Sequence, residues 1–301
     1  MKSKILVTGA DGQLGRSLRD IAAEYPAWEF LFTDLLQLDI TNETSVREYM
    51  EQHKPAWVVN AAAYTNVELV EKNPEPGHLL NATAPGILAR ESDQVGASIV
   101  HISTDYVFDG YGHKFLTEES PTNPLSVYGR TKLEGEKLVE AGNPRHFIIR
   151  TSWLYSKFGN NFVKTIYGKG CAGGKVDVVN DQWGSPTSAE DLARAVMVVI
   201  TSAAGCADPC PLYGIYNYSD EGTTCWADFA QVIMDFAGLD CMVRGIPSSE
   251  YSSVVHRPAF SVLDKSKFRR TFKINIPEWE DSLENVLADL ARNADCVDGC
   301  N

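Results

Sequence analysis

Tyr128 and Lys132 stand four residues apart in Ser126–Ala141, a stretch whose apolar spacing predicts a helix. On a helix, side chains at i and i+4 share one face. A free tyrosine ionises near about 10, and a neighbouring ammonium favours the phenolate. The pair is therefore expected to offer a phenol that gives or takes a proton near neutrality. Y-x-x-x-K alone arises often by chance, and an exposed Tyr–Lys pair is its plainer reading. Ser103-Thr104-Asp105, at the end of the preceding predicted strand, shifts that balance. In a doubly wound sheet, ligands bind beyond the carboxyl ends of the strands. Thr104 and Tyr128 are expected to meet there.

A second cluster could bind phosphate. Gly9, Gly12 and Gly15 form G-x-x-G-x-x-G between a short apolar run, Lys4–Thr8, and a helical pattern with Leu14, Leu18 and Ile21. Glycines allow a tight turn and close approach of backbone to a pyrophosphate, and a helix N-terminus supplies free N–H groups. The expected cofactor contacts here are Gly9, Gly12, Gln13, Leu14 and Gly15. Asp34 lies 19 residues after Gly15, at the end of the next predicted strand. A carboxylate there can hold both hydroxyls of an adenosine ribose. Leu35 and Leu36 follow it, with no arginine to balance a 2′-phosphate. NADH is therefore expected to be preferred, with NADPH as the alternative. Asp39, Ile40 and Ala61–Ala63 follow strand ends on the same side of the sheet. Small residues let a flat cofactor pass, although Ala61–Ala63 equally suits tight helix–strand packing.

These residues need a scaffold, and the patterning predicts one. Strands are expected at Lys4–Thr8, Trp28–Thr33, Ala56–Ala61, Ala97–Ser103 and His146–Thr151. Helices are expected between them, including Asn42–His53 and Gly86–Gln94. Strand–helix alternation implies a parallel sheet covered on both faces, a doubly wound α/β (Rossmann-type) fold. After Trp153 the rhythm changes. Gly159–Asn161, Gly168–Gly174 and Asp181–Pro186 read as loops, and Ala189–Ile200, Trp226–Ala237 and Glu280–Ala291 as helices, with a strand at Gly214–Tyr218. The expected division is a dinucleotide-binding domain over 1–154, to which 188–218 returns, and a smaller substrate lobe from 155–187 and 219–301.

Composition narrows the function. Lys and Arg total 27 against 40 Asp and Glu, a net charge of −13. Such a chain repels a nucleic-acid backbone, though local N–H groups and arginines can still hold a small anion. No apolar run approaches the roughly 20 residues of a membrane helix. The N-terminus lacks a signal-peptide core and reads as a first strand of a cytoplasmic protein. All 7 cysteines follow residue 170, without C-x-x-C or zinc-site spacing, and are expected to be reduced thiols with no metal role. The tail Ala294–Asn301 is expected to fray.

The chain resembles the extended short-chain dehydrogenase/reductases and, within them, the dTDP-4-dehydrorhamnose reductases. The likeness runs over nearly the whole sequence. It rests on Thr8–Gly15 (TGADGQLG), Val59–Ala63 (VNAAA), Ser103–Phe108 (STDYVF), Asn123–Lys132 (NPLSVYGRTK), Arg150–Tyr155 (RTSWLY), Asn160–Phe162 (NNF), Asp181–Thr187 (DQWGSPT) and Arg257-Pro258. The resemblance implies reduction of the C4 ketone of dTDP-4-dehydro-L-rhamnose to dTDP-L-rhamnose. It implies Tyr128 as proton donor, Lys132 on the nicotinamide ribose, Thr104 on the keto oxygen and Asp105 on the sugar. Trp153, Asn161 and Arg257 are implied as further substrate contacts and Thr65 as a cofactor contact. Two departures stand out. Some members dimerise around a magnesium held by glutamates; Ser17 replaces one of these while Glu190 matches another. Magnesium is therefore doubtful, and monomer or homodimer both remain. Tyr64 stands where the A-A-A-H-T segment usually has histidine. A nucleotide-sugar dehydratase usually carries glutamate after the Thr-Asp pair, and Tyr106 is here. An epimerase on the same scaffold, or a non-catalytic binding module like the regulatory subunit of methionine adenosyltransferase, are the alternatives; consumption of NADH with a keto-sugar nucleotide separates the last from an enzyme.

Overall fold

The computed structural model describes residues 2–207 and 209–298, and side chains as far as residue 292. The first half alternates strands and helices: β1 (Ser3–Thr8), α1 (Gln13–Ile21), β2 (Trp28–Thr33), α2 (Glu43–His53), β3 (Trp57–Asn60), α3 (Val67–Lys72), α4 (Pro74–His78), α5 (Ala84–Gln94), β4 (Ser98–Thr104), α6 (Val127–Gly142) and β5 (His146–Thr151). Then follow β6 (Leu154–Tyr155), α7 (Phe162–Ala172), β7 (Gly174–Val179), β8 (Trp183–Gly184), β9 (Thr187–Ser188), α8 (Ala189–Ala204), β10 (Gly214–Asn217), β11 (Thr224–Cys225), α9 (Trp226–Ala237), β12 (Cys241–Ile246), α10 (Ser266–Phe272) and α11 (Trp279–Asp298).

Six strands form the main sheet in the order β10-β5-β4-β3-β1-β2, and every neighbouring pair is parallel. The chain moves outward from β1 to β2, then back past β1 to β3. Connections thus leave β1 and β3 in opposite directions, which opens a crevice beyond their ends. Alternate side chains serve opposite faces. Ile5 and Val7 pack with Leu14 and Leu18 of α1 and Leu192 and Val196 of α8. Leu6 points the other way, onto Val46 and Met50 of α2 and Leu88 of α5. Helix α2 starts where Asn42 accepts a bond from the Ser45 N–H (3.2 Å).

A second core lies in the later chain. Val163 and Ile166 of α7, Val176 and Val178 of β7, Phe229 and Ile233 of α9, and Leu283 of α11 pack together. Here the structure departs from the sequence reading. Gly168–Gly174 reads as a loop, yet α7 continues to Ala172, and β7 pairs with β12 in parallel. The glycines are needed for packing: a Cβ on Gly170 would lie 2.6 Å from Leu239 Cδ1 and 2.7 Å from Met234 Sδ. Phe268, Phe272 and Ile276, from the stretch read as part of the smaller lobe, pack against the main sheet instead. The five described cysteines form no disulfide; Cys296, Cys300 and the whole tail expected to fray, Ala294–Asn301, lie outside the residues whose side chains are described. Among the described residues no helix is long and apolar enough to cross a membrane.

Candidate active site

The glycine turn follows from its surroundings. Gly9 has φ +67°, and a Cβ there would lie 2.6 Å from the Ala62 nitrogen. A Cβ on Gly15 would lie 2.4 Å from the Gly9 oxygen. The turn therefore folds back on itself and against the end of β3 with no room for side chains. Helix α1 begins at Gly12 without a side-chain cap, so its first-turn N–H groups remain available.

Two hollows open along the strand ends. One, of about 300 Å³, is lined by Gly9, Gly12, Asp34, Asp39, Ile40 and Ala61–Ala63. The other, of about 600 Å³, is lined by Gly12, Gln13, Leu14, Ala61, Ala63, Thr65, Thr104, Asp105, Tyr128, Lys132, Trp153 and Arg257. They share Gly12, Ala61 and Ala63, so one runs into the other. Of the expected catalytic, cofactor and substrate contacts, only Gly15 and Asn161 line neither. Gly15 lies beneath the turn. Asn161 is saturated: it donates to Gln13 Oε1 (3.0 Å), Ser156 O (2.7 Å) and Phe158 O (3.1 Å), and accepts from the Lys164 N–H (3.0 Å) to cap α7. Its neighbour Asn160 reaches the cavity wall.

Helix α6 aims the central pair. Ser126 caps it by accepting from the Gly129 N–H (3.0 Å), which sets Tyr128 in the first turn and Lys132 one turn on. Lys132 is 2% exposed, and its Nζ donates to Ile102 O at 2.6 Å. Burial draws its pKa down to about 8, against the opposing pull of Glu136. Thr104 ends β4; its hydroxyl donates to Asp105 Oδ1 (3.1 Å) and accepts from the Tyr106 N–H (3.2 Å). Tyr106 meets Tyr128 edge-on at 5.5 Å.

The electrostatics differ from the sequence expectation for Tyr128. Burial raises its pKa far above the ordinary value, with a hydrogen bond from Thr104 opposing and Asp105 and Tyr106 adding to the rise. Lys132 is anchored on the Ile102 carbonyl, and burial is the largest influence on the phenol. Tyr128 is thus a firmly protonated phenol. Burial also lifts Asp105 to about 6, while bonds from Ser261 and Thr104 hold it down.

At the outer end, Asp34 Oδ2 accepts from the Asp11 N–H (3.0 Å) and Oδ1 from the Leu35 N–H (2.9 Å). Arg19, in the last turn of α1, pairs with Asp11 at 3.6 Å. This nearby cation was not legible from the residues after Asp34. At the inner end Trp153 adopts φ +48°, an uncommon conformation for a bulky residue. Its ring stacks on Trp226 at 3.5 Å. Arg257 pairs with Glu68 at 3.6 Å. Ser17 donates to Gln13 O (3.0 Å), and Glu190 pairs with Arg194 (3.0 Å). Among the described residues no three His, Cys, Asp or Glu side chains are grouped to hold a metal.

Sequence reasoning missed several contributors. Asn81, fully buried, accepts from the Tyr64 N–H (2.7 Å) and donates to Tyr64 O (3.1 Å) and Thr131 Oγ1 (3.2 Å). It ties the strip after β3 to α6 from a π-helical turn, Leu79–Thr83. No local pattern announces it. The segment's usual histidine side chain is replaced by Tyr64, but it is the Tyr64 backbone that is clamped.

Residues 3–292 match the family model described as the RmlD substrate binding domain. A dTDP-4-dehydrorhamnose reductase of Aggregatibacter actinomycetemcomitans is 36% identical over 95% of this chain and 99% of its own. The chain belongs to the dTDP-4-dehydrorhamnose reductase family. Two solved members have the same fold throughout. The Clostridium acetobutylicum protein is 40% identical, with TM-score 0.90 over 96% of this chain and 99% of that one. The Bacillus anthracis protein, solved in complex with NADP, is 34% identical, with TM-score 0.90 over 96% of this chain and all (100%) of that one. Family membership therefore fixes the fold as a Rossmann-like short-chain dehydrogenase/reductase.

Proposed function

We propose that this protein uses NADH or NADPH to reduce the C4 ketone of dTDP-4-dehydro-L-rhamnose to dTDP-L-rhamnose. The carrying observation is that Thr104, Tyr128 and Lys132 share one cavity wall, in a hollow continuous with the glycine turn. In this reading the dinucleotide lies along the strand ends, with Asp34, Asp39 and Ile40 at the adenosine and Gly9, Gly12, Gln13, Leu14, Ala61–Ala63 and Thr65 along its length. Gly15 acts indirectly, by shaping the turn. The division of labour is a dinucleotide domain of residues 1–154 with 188–218, to which the stretch 268–276 is packed, and a substrate lobe from the remainder. The nicotinamide supplies the hydride.

The side chains do the rest. Tyr128 hydrogen-bonds the keto oxygen and gives up its proton as the oxygen becomes an alkoxide. Thr104 donates to the same oxygen and aligns it. Lys132 holds the nicotinamide ribose. Asp105 accepts from a sugar hydroxyl, Trp153 covers the sugar, and Arg257 exchanges Glu68 for the diphosphate. Asn161 shapes the wall through Gln13 rather than touching the sugar. The Asp34 carboxylate favours NADH, and Arg19 is the cation through which NADPH would be accommodated; a clear NADPH preference in kcat/KM would refute the NADH preference. The enzyme works in the cytoplasm without magnesium, as a monomer or homodimer.

Mixing protein, reduced cofactor and dTDP-4-dehydro-L-rhamnose tests the proposal. Loss of 340-nm absorbance with formation of dTDP-L-rhamnose is expected. Tight cofactor binding without turnover would instead point to another sugar nucleotide or a binding module.

A further inference from the structure

Tyr128, Lys132 and Glu136 succeed one another at four-residue spacing, so α6 presents all three on one side. Glu136 is 1% exposed and fully engaged. Its Oε1 accepts from Ser103 Oγ (2.6 Å) and Arg150 Nε (2.9 Å), and its Oε2 from Arg150 Nη2 (2.7 Å). Arg150 is 3% exposed; it also lies over the Phe108 ring (5.2 Å) and donates to Glu118 O (3.3 Å). Ser103 immediately precedes Thr104, and Arg150 precedes Thr151-Ser152-Trp153. One carboxylate thus ties together α6 and β4, which carry Tyr128, Lys132 and Thr104, and β5, which ends two residues before Trp153.

Stability alone does not explain this arrangement. An apolar set of equal volume commonly stabilises a core as well as a buried ion pair, or better. The place of the cluster, one helical turn behind Lys132, supplies another reason.

We propose that Glu136, gripped by Arg150 and Ser103, is the positioning residue for Lys132, and that its buried negative charge keeps the lysine an ammonium ion at the cofactor ribose. This rests on the reductase reading of Lys132. Other ionisable groups near Lys132 do not supply that charge. Tyr128 and Tyr106 are held as phenols by burial. Burial keeps His101 on β4 uncharged, and Arg150 is a cation. Asp105 is the remaining acid and serves the cavity wall.

Three variants test this: Glu136→Gln, Glu136→Gln with Arg150→Gln, and Glu136→Asp. Two readouts are taken: the pH profile of kcat/KM, and the Lys132 titration by 13C NMR of lysine-labelled protein, assigned with Lys132→Met. In Glu136→Gln the alkaline limb and the NMR titration should move to lower pH by roughly one unit or more, the usual effect of a close opposite charge; in the double variant, which loses the paired cation as well, both should move in the same direction by less. Glu136→Asp should keep both at the wild-type position with a smaller kcat. The double variant removes the stranded Arg150 charge that could unfold the single one. If activity falls equally at every pH and the Lys132 titration stays in place, Glu136 is only a structural tie and the proposal fails. If the wild type turns over no keto-sugar nucleotide, the function reading fails, while the NMR titration still decides the role of Glu136.

Discussion

At the scale of single residues, Tyr128 is set by burial more than by its lysine neighbour. A phenol held far above its ordinary value stays protonated until charge develops on the substrate oxygen, as a general acid requires. Tyr128→Phe should keep the fold and cofactor binding and reduce kcat by roughly 10²–10⁴-fold, the usual contribution of a positioned acid. The titrations nearest the reacting atoms are those of Asp105 and Lys132. Asp105, raised to about 6, loses its carboxylate as pH falls through that value. Lys132, lowered to about 8, loses its ammonium as pH rises through that value. A kcat/KM profile, which reports free-enzyme groups, should therefore be flat between these limits and decline on both sides. Asp105→Asn should abolish the acid limb while lowering the plateau. Much of this chemistry is visible in the sequence because Tyr128, Lys132, Thr104 and Asp105 fall at fixed offsets from strand and helix ends. Glu136 and Arg150 are not visible: charged residues at such positions ordinarily read as solvated faces, and only the packed sheet shows both below 4% exposure.

At the scale of elements, α6 is positioned by contact as well as by its cap. Gly135 lets it approach the π-helical turn so closely that a Cβ would lie 2.1 Å from Asn81 O. Gly135→Ala should push α6 away from Asn81, destabilise the protein by about 1–3 kcal/mol, as overpacking does, and lower kcat through the displaced Tyr128; thermal unfolding and steady-state kinetics check both. Such contacts also explain which elements could be read in advance. Trp28–Thr33 and His146–Thr151 are rich in aromatic and β-branched residues that leave little choice but strand. Gly168-Lys169-Gly170 carries the opposite local signal, and α7 persists there because Gly170 fits beneath Leu239 and Met234. That is a tertiary reason and leaves no mark in the local sequence.

At the scale of the whole molecule, the glycine turn and the later chain are fastened together by Gln13. Its Oε1 accepts from Ser156 Oγ (2.9 Å) and Asn161 Nδ2 (3.0 Å), and its Nε2 donates to Leu154 O (3.4 Å). The residue after the second glycine thus joins the cofactor hollow to the segment carrying Trp153. Gln13→Leu keeps the bulk and removes these bonds. With a net worth near 1 kcal/mol for a typical hydrogen bond, the Michaelis constants for both cofactor and sugar nucleotide should rise by roughly tenfold, with a smaller change in kcat.

The central claim is that this cavity reduces a keto-sugar nucleotide through Tyr128. The direct measurement is the 340-nm absorbance of NADH, and separately of NADPH, mixed with dTDP-4-dehydro-L-rhamnose and either wild-type protein or Tyr128→Phe. Steady oxidation of the cofactor by the wild type that collapses in the variant is the predicted result. Equal rates in the two proteins, or no oxidation of either cofactor by a wild type that binds it, would contradict the account.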